Sequence, residues 1–380
     1  MFNLRNYLDL SRTHFSVPQT IIDDLSLDIN FLLNDTCNVC NIRRIDSLLC
    51  NSIEQKMQVI YINNSFYVLI DFGLLHAMHQ LRCLPLCLDD FGEQQRAVMK
   101  PLRSIYFNNL FFEQLHNSFY LSNNQSQAHL AQHMIKECVI YTPQEALSNS
   151  GNLLVYGRAL RADLLFCYYH EIGHCLMRLG RINLQRTIGE IIAYLTGDAM
   201  INVYQSSAKE ITDRLSSIGA SDRQIEISTM PISELIDILD KDAHLQEELV
   251  CDLYAIRCIF EALPLHNERT RHQRFLSDVI DTVSIFSAYL SLRATCARWA
   301  RIYCGEGIEE IYRYLIEIHV RAELNAIMIA NEFQNHTPFP VDVVALEEHK
   351  KRIVNRQLNF QAATQTFLRD RSPLEMLSVN

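Results

Sequence analysis

Apolar side chains recur along this chain in two rhythms. Near the N-terminus, Gln58-Val-Ile-Tyr-Ile62 and Phe66-Tyr-Val-Leu-Ile70 are runs of strand length, rich in β-branched and aromatic residues. They flank Asn63-Asn-Ser65, and that spacing predicts a hairpin. Residues 28–33 and 42–50 are short apolar runs with no decisive period. Further on, the helical rhythm takes over. It predicts helices over 92–136, interrupted around Asn123-Asn-Gln-Ser-Gln127, and over 158–180, 186–196, 203–216, 231–240, 244–261, 271–303 and 308–333. Gly151-Asn-Leu-Leu-Val-Tyr-Gly157 reads as a short strand feeding the helix after it, and Gly305-Glu-Gly307 as a break. The pattern predicts an α+β protein, mostly helical, with a small N-terminal β-sheet. Its expected organisation is a mixed portion over 1–90, a helical core over 91–336, and a C-terminal helix or tail over 337–380 opened by Thr337-Pro-Phe-Pro340.

One predicted helix carries chemistry. Residues 159–179 are densely apolar and hold no proline, with Gly173 as the one interior glycine and Gly180 placed to stop the helix. Within it lies His170-Glu171-Ile172-Gly173-His174. Residues four apart on a helix share a face, so the two imidazoles can grip one metal ion. Glu171 follows the first of them directly and can reach a metal-bound water. This is the His-Glu-x-x-His zinc arrangement. Apolar residues on nearly every side predict burial, and buried imidazoles and carboxylates require partners.

A catalytic zinc site needs a third protein ligand beside an open position. The helix containing Gln246-Glu-Glu-Leu-Val-Cys-Asp-Leu-Tyr-Ala-Ile-Arg257 offers Glu248 as that ligand. Asp252, one turn on, is placed to accept the outer N–H of a ligating histidine and to fix its tautomer. Two competitors for the third position stand behind Glu248. Glu190 ranks second, with Asp198 eight residues after it, and Glu247 ranks third because it points about 100° away from Glu248.

These residues resemble the gluzincin metallopeptidases, in which His-Glu-x-x-His is joined to a downstream Glu-x-x-x-Asp. The likeness is greater to the branch with a Glu-x-x-Ala-Asp-x-x-Ala helix, here Glu248-Leu-Val-Cys-Asp-Leu-Tyr-Ala255 with Cys251 replacing the first alanine. Phe66-Tyr-Val-Leu-Ile-Asp-Phe-Gly-Leu-Leu75 is similar to the strand and helix opening found upstream in that branch. A gap of about 95 residues before His170 is long for the pattern. The resemblance implies a zincin-like core, with Zn2+ held by His170, His174 and Glu248, Asp252 behind a histidine, and Glu171 as general base. It implies a zinc-dependent endopeptidase acting on a protein or peptide, and narrow specificity would suit an unsecreted one. Donors to the oxyanion are sought in Tyr254, His319 and Arg321, since related peptidases often use a late histidine or arginine. For Arg321 the competing expectation is an i,i+4 pair with Glu317. The alternative functions are a zincin-fold binding or regulatory protein without catalysis, and a small-molecule amidohydrolase. A peptide substrate would need a strand edge near the metal, sought in 66–72 or 153–156.

Composition narrows the setting. The formal charge of −10 argues against broad nucleic-acid or anionic-membrane binding. The N-terminus lacks the apolar core of a signal peptide, and no run of apolar residues spans a bilayer, so a cytoplasmic protein is expected. Twelve cysteines then read as reduced thiols. Cys37-Asn-Val-Cys40 has a metal-like spacing but no second close pair to complete four ligands. Oligomeric state and substrate identity are not legible in the pattern.

Overall fold

The computed structural model describes residues 45–50, 57–62, 65–71, 153–196, 229–261, 269–304 and 309–336, together with residues 74, 75, 77, 78, 212, 213, 216, 222, 225 and 226. The predicted elements at 28–33, 92–136 and 341–368, most of that at 203–216, the Cys37/Cys40 pair, and Asp198 lie outside the described residues. The chain divides into two compact units. One comprises Met1–Leu164, Leu292–Ile311 and Ala363–Asn380, the other Leu165–Ser291 and Tyr312–Ala362.

The first unit holds a three-stranded sheet of β1 (Ile45–Cys50), β2 (Gln58–Ile62) and β3 (Ser65–Asp71), in the order β1-β3-β2. The expected hairpin is β2 and β3, antiparallel, with Gln58 opposite Leu69 and Ile62 opposite Ser65. Tyr61 and Phe66 face each other in that register with ring centroids 4.7 Å apart. β1 lies parallel to β3 on its other side, Ile45 opposite Phe66 through Cys50 opposite Asp71. A strand flanked on both sides and covered on both faces reads as a continuous apolar run. Val68, Leu69 and Ile70 fit this, all fully buried. Leu74, Leu75, Ala77 and Met78, just beyond β3, are helical and buried.

Two expectations are corrected here. The 66–72 segment is no edge, because β3 is paired on both sides. Residues 153–156 are not a strand but the start of α1 (Leu153–Arg178). A run of four apolar residues carries no period that separates a strand from a buried helix, and Gly157 is accommodated inside the helix.

Among the described residues the main helices are α1, α2 (Leu184–Leu195), α3 (Ile232–Lys241), α4 (Ala243–Glu261), α5 (Arg269–Cys304) and α6 (Glu309–His336). Their ends follow local chemistry. α1 stops at Gly180, whose φ of 66° suits a residue without Cβ. The Gly180 N–H donates to the Met177 carbonyl and the Arg181 N–H to that of Leu176, both at 2.9 Å, closing the last turn. Asn183 caps α2 by accepting from the Arg186 N–H at 3.0 Å. Asp242 serves two helices. Its own N–H ends α3 on the Ile238 carbonyl, while its carboxylate accepts from the N–H groups of His244 and Leu245 at the start of α4.

Within the second unit α4 is the central element. Leu245, Leu249, Val250, Cys251, Leu253, Ala255, Ile256, Ile259 and Phe260 bury it on all sides. α2 and α3 pack against it, α2 through Ile188, Ile191 and Leu195 and α3 through Leu235 and Leu239. Toward α6 the contacts are polar and periodic. Asp242 meets Arg313 at 2.8 Å, His244 meets Glu317 at 3.3 Å, Glu248 meets Arg321 at 2.7 Å, Asp252 meets Asn325 at 2.9 Å, and Arg257 meets Glu332 at 2.9 Å. Partner numbers rise together along both helices, so α4 and α6 run parallel with their i,i+4 rows in register. No helix among the described residues is long and apolar enough to cross a membrane.

Removing the carboxylate of Asp242 should cost about 1 kcal/mol, the usual loss for a helix cap, read as a lower urea midpoint for Asp242→Ala at pH 7. Burial pushes the Asp242 carboxyl upward, but Arg313 and the two backbone N–H groups outweigh it and hold it below its ordinary value. A lowered acidic pKa stabilises the fold above the unfolded value, about 3.9, and that contribution fades as pH falls through the folded value. The gap between wild type and Asp242→Asn should therefore narrow below about pH 4. Glu332 is 2% exposed and depends on Arg257, so Arg257→Met should destabilise the chain by about 3 kcal/mol in equilibrium unfolding.

Candidate metal centre

The helix predicted around His170 forms as α1, and α4 crosses it at Gly173. A Cβ on Gly173 would lie 3.0 Å from both the Cα and the Sγ of Cys251. The two backbones approach this closely because each helix presents a small residue at the crossing. His170 and His174, one turn apart on α1, are thereby brought against Glu248 and Asp252, one turn apart on α4.

Glu248 lies between the two imidazoles. Its Oε2 is 3.4 Å from the Nε2 of His170 and its Oε1 is 3.4 Å from the Nε2 of His174. Donor atoms of His170, His174 and Glu248 all lie within 4.8 Å of one another, so the three can hold a metal ion. No other such group occurs among the described residues. The opposite ring nitrogens are anchored. His170 Nδ1 lies 2.8 Å from Asp252 Oδ1, and His174 Nδ1 lies 2.9 Å from Glu247 Oε1. With each Nδ1 at a carboxylate, both Nε2 atoms face the common point, where a metal would take the place of their protons.

Asp252 has no exposed surface and is satisfied on both oxygens. Oδ1 accepts from His170 Nδ1 and Arg321 Nη2, and Oδ2 from Arg321 Nε and Asn325 Nδ2. Arg321, itself 5% exposed, also donates from Nη1 to Glu248 Oε2 at 2.7 Å. Its guanidinium lies 5.8 Å from the Phe286 ring centroid, and Phe286 also neighbours His170 and Phe166. The cluster is thus enclosed by α1, α4, α5 and α6, all through residues of the second unit.

The field in this cluster is strongly anionic on its polar side. Burial opposes a charge on His170, yet hydrogen bonds to Asp252 and Glu248, and their charges, raise it to about 10. His174 is raised too, burial and the neighbouring His170 working against its bond to Glu248 and the charges of Glu171 and Glu248. Burial pushes Glu248 and Asp252 upward, but Arg321 first and then the histidines hold both below the usual carboxylate range. A frame that draws protons onto its imidazoles draws a divalent cation by the same electrostatics.

The remaining sequence candidates are distributed as follows. Glu171 is half-buried on α1, close enough for its charge to act on His174. Glu190 is not with the histidines; it pairs with Arg257 at 3.1 Å and Arg186 at 3.4 Å, in a network that includes Tyr194 and Glu332. Glu247, ranked third as a ligand, stands behind His174 instead. Arg321 bonds to Asp252 and Glu248, while Glu317, its expected i,i+4 partner, meets His244. Tyr254 is rotated about 120° from Glu248 on α4, and His319 about 160° from Arg321 on α6, so neither shares the face of the cluster. Sequence reasoning missed Asn325, Phe286 and the role of Glu247. A signal existed for Glu247, since each ligating histidine needs an acceptor at its second nitrogen.

Gly173→Ala should force α1 and α4 apart, costing about 1–3 kcal/mol in urea unfolding of the metal-free chain. The chain matches no protein-family model, no curated protein and no solved structure.

Proposed function

We propose that this chain is a zinc-dependent endopeptidase of narrow specificity, with a zincin-like site built by α1 and α4. The observation that carries the reading is the convergence of His170 Nε2, His174 Nε2 and the Glu248 carboxylate, with Asp252 and Glu247 holding the two Nδ1 atoms. Two imidazoles and one carboxylate are a donor set suited to zinc in hydrolytic sites. A zinc ion held there would supply a Lewis acid that acidifies water and polarises a scissile carbonyl. Every other role falls to the chain. Asp252 and Glu247 keep the imidazoles in the ligating tautomer, and Arg321 offsets one of the two negative charges of Asp252 and Glu248. Glu171, adjacent to His170 and facing partly to solvent, is the group able to take a proton from water and return it to the leaving amine. A site serving structure alone has no use for a carboxylate at that position. The cytoplasm is the setting proposed for it, with a protein or peptide as substrate.

Mass spectrometry of the purified full-length chain should find one zinc per molecule. The metal should persist in Glu190→Gln and be lost or weakened in His170→Ala and Glu248→Gln. Glu171→Gln should retain it while any hydrolysis falls by about 10²–10⁴-fold. Absence of metal from folded wild type, with zinc supplied throughout purification, would overturn the reading. Bound zinc with equal activity in wild type and Glu171→Gln would favour the binding or regulatory alternative.

A further inference from the structure

We propose that Arg321 is a positioning residue that holds the third metal ligand, Glu248, and the histidine anchor, Asp252, in one register before any metal arrives. The inference rests on the reading of His170, His174 and Glu248 as a metal centre, and assigns Arg321 a task other than contact with substrate. One guanidinium makes three hydrogen bonds to two carboxylates four residues apart on α4. Nη1 donates to Glu248 Oε2 at 2.7 Å, Nη2 to Asp252 Oδ1 at 2.9 Å, and Nε to Asp252 Oδ2 at 3.0 Å. The planar fork fixes the angle between those carboxylates in a way a point charge does not.

The surroundings restrain the arginine in turn. It is 5% exposed, faces the Phe286 ring at 5.8 Å, and shares Asp252 with Asn325, one turn further along α6. Rotation of the side chain toward solvent would leave Asp252, which has no exposed surface, without two of its four hydrogen bonds. Glu248 and Asp252 are adjacent anions on one helix face, and the guanidinium offsets their mutual repulsion by bonding to both. It does so at oxygens that His170 also approaches, Glu248 Oε2 and Asp252 Oδ1. The Glu248 carboxylate is left with Oε1 toward His174 and Oε2 shared between His170 and Arg321. A metal then enters a preformed set of donors.

Arg257 provides an internal control. It bridges the same two helices, to Glu332, but has no contact with the histidine cluster among its partners Glu332, Glu190 and Tyr194. Zinc affinity of the full-length chain would be measured by competition with a chromophoric chelator, and geometry by the visible spectrum of the Co2+-loaded chain. Arg321→Met is expected to weaken zinc binding by about 10–100-fold and to alter the Co2+ spectrum, as losses of outer hydrogen bonds to metal ligands do. Arg321→Lys should show a smaller loss with a changed spectrum, and it decides the matter if Arg321→Met does not fold. Arg257→Met should lower the melting temperature yet keep wild-type affinity and spectrum. Wild-type affinity and spectrum in the folded Arg321 variants would overturn the proposal, as would an equal loss in Arg257→Met. A wild-type chain that takes up neither metal would overturn the metal centre itself, and this inference with it.

Discussion

Asp252 is a charge with no access to water, and the second unit is arranged around keeping it satisfied. Its two oxygens accept four hydrogen bonds, one from α1 and three from α6. An ion at that depth without partners would cost several kcal/mol, so its partners cannot be displaced independently. His170 is oriented because Asp252 holds Nδ1, and Arg321 is retained inside the protein because Asp252 takes two of its N–H groups. Glu248, bonded to the same arginine, is brought to both histidines. One carboxylate thus couples three helices to a single point.

That coupling depends on how near the backbones lie. At the crossing of α1 and α4 the side chains are hydrogen and a thiol, Gly173 against Cys251. Burial pushes the Cys251 thiol well above its ordinary range, and the carboxylates around it add to the shift, so it acts as a small neutral packing group. Between α4 and α6 the spacing is set differently, by long polar side chains that bridge the gap in pairs from Asp242 to Glu332. Close apolar packing on one side of α4 and a parallel polar ladder on the other allow a helix to carry carboxylates through a protein interior. The ladder extends past the histidine cluster at both ends, so α4 and α6 are aligned in part by pairs that do not touch it.

The pattern of residues and the structure agree where short-range physics governs. The hairpin of Gln58–Ile62 with Ser65–Asp71 follows from β-branched runs around a polar turn. Helix ends at Gly180 and Asn183 follow from a glycine tolerant of positive φ and from a side-chain acceptor. They part where identity of the partner matters. The apolar run at 153–156 has no period of its own and takes the helical state of the residues after it. β3 reads as an edge until β1, the strand before its hairpin partner, is seen to pair with its other side.

The candidate site divides along the same line. Sequence alone determined that His170 and His174 share a helix face with Glu171 beside them, and that Glu248 and Asp252 share another, because 3.6 residues per turn makes i,i+4 neighbours regardless of context. Only the tertiary structure decided which carboxylate meets which nitrogen. Glu190, Glu247 and Glu248 are chemically alike, and what separates them is where α2 lies and how α4 is rotated relative to α1. Arg321 could equally have paired with Glu317 on its own helix; the parallel register of α6 against α4 gave it Asp252 and Glu248 instead. Local geometry is written into residue spacing, whereas the choice among equivalent charges is made by packing between elements far apart in the chain.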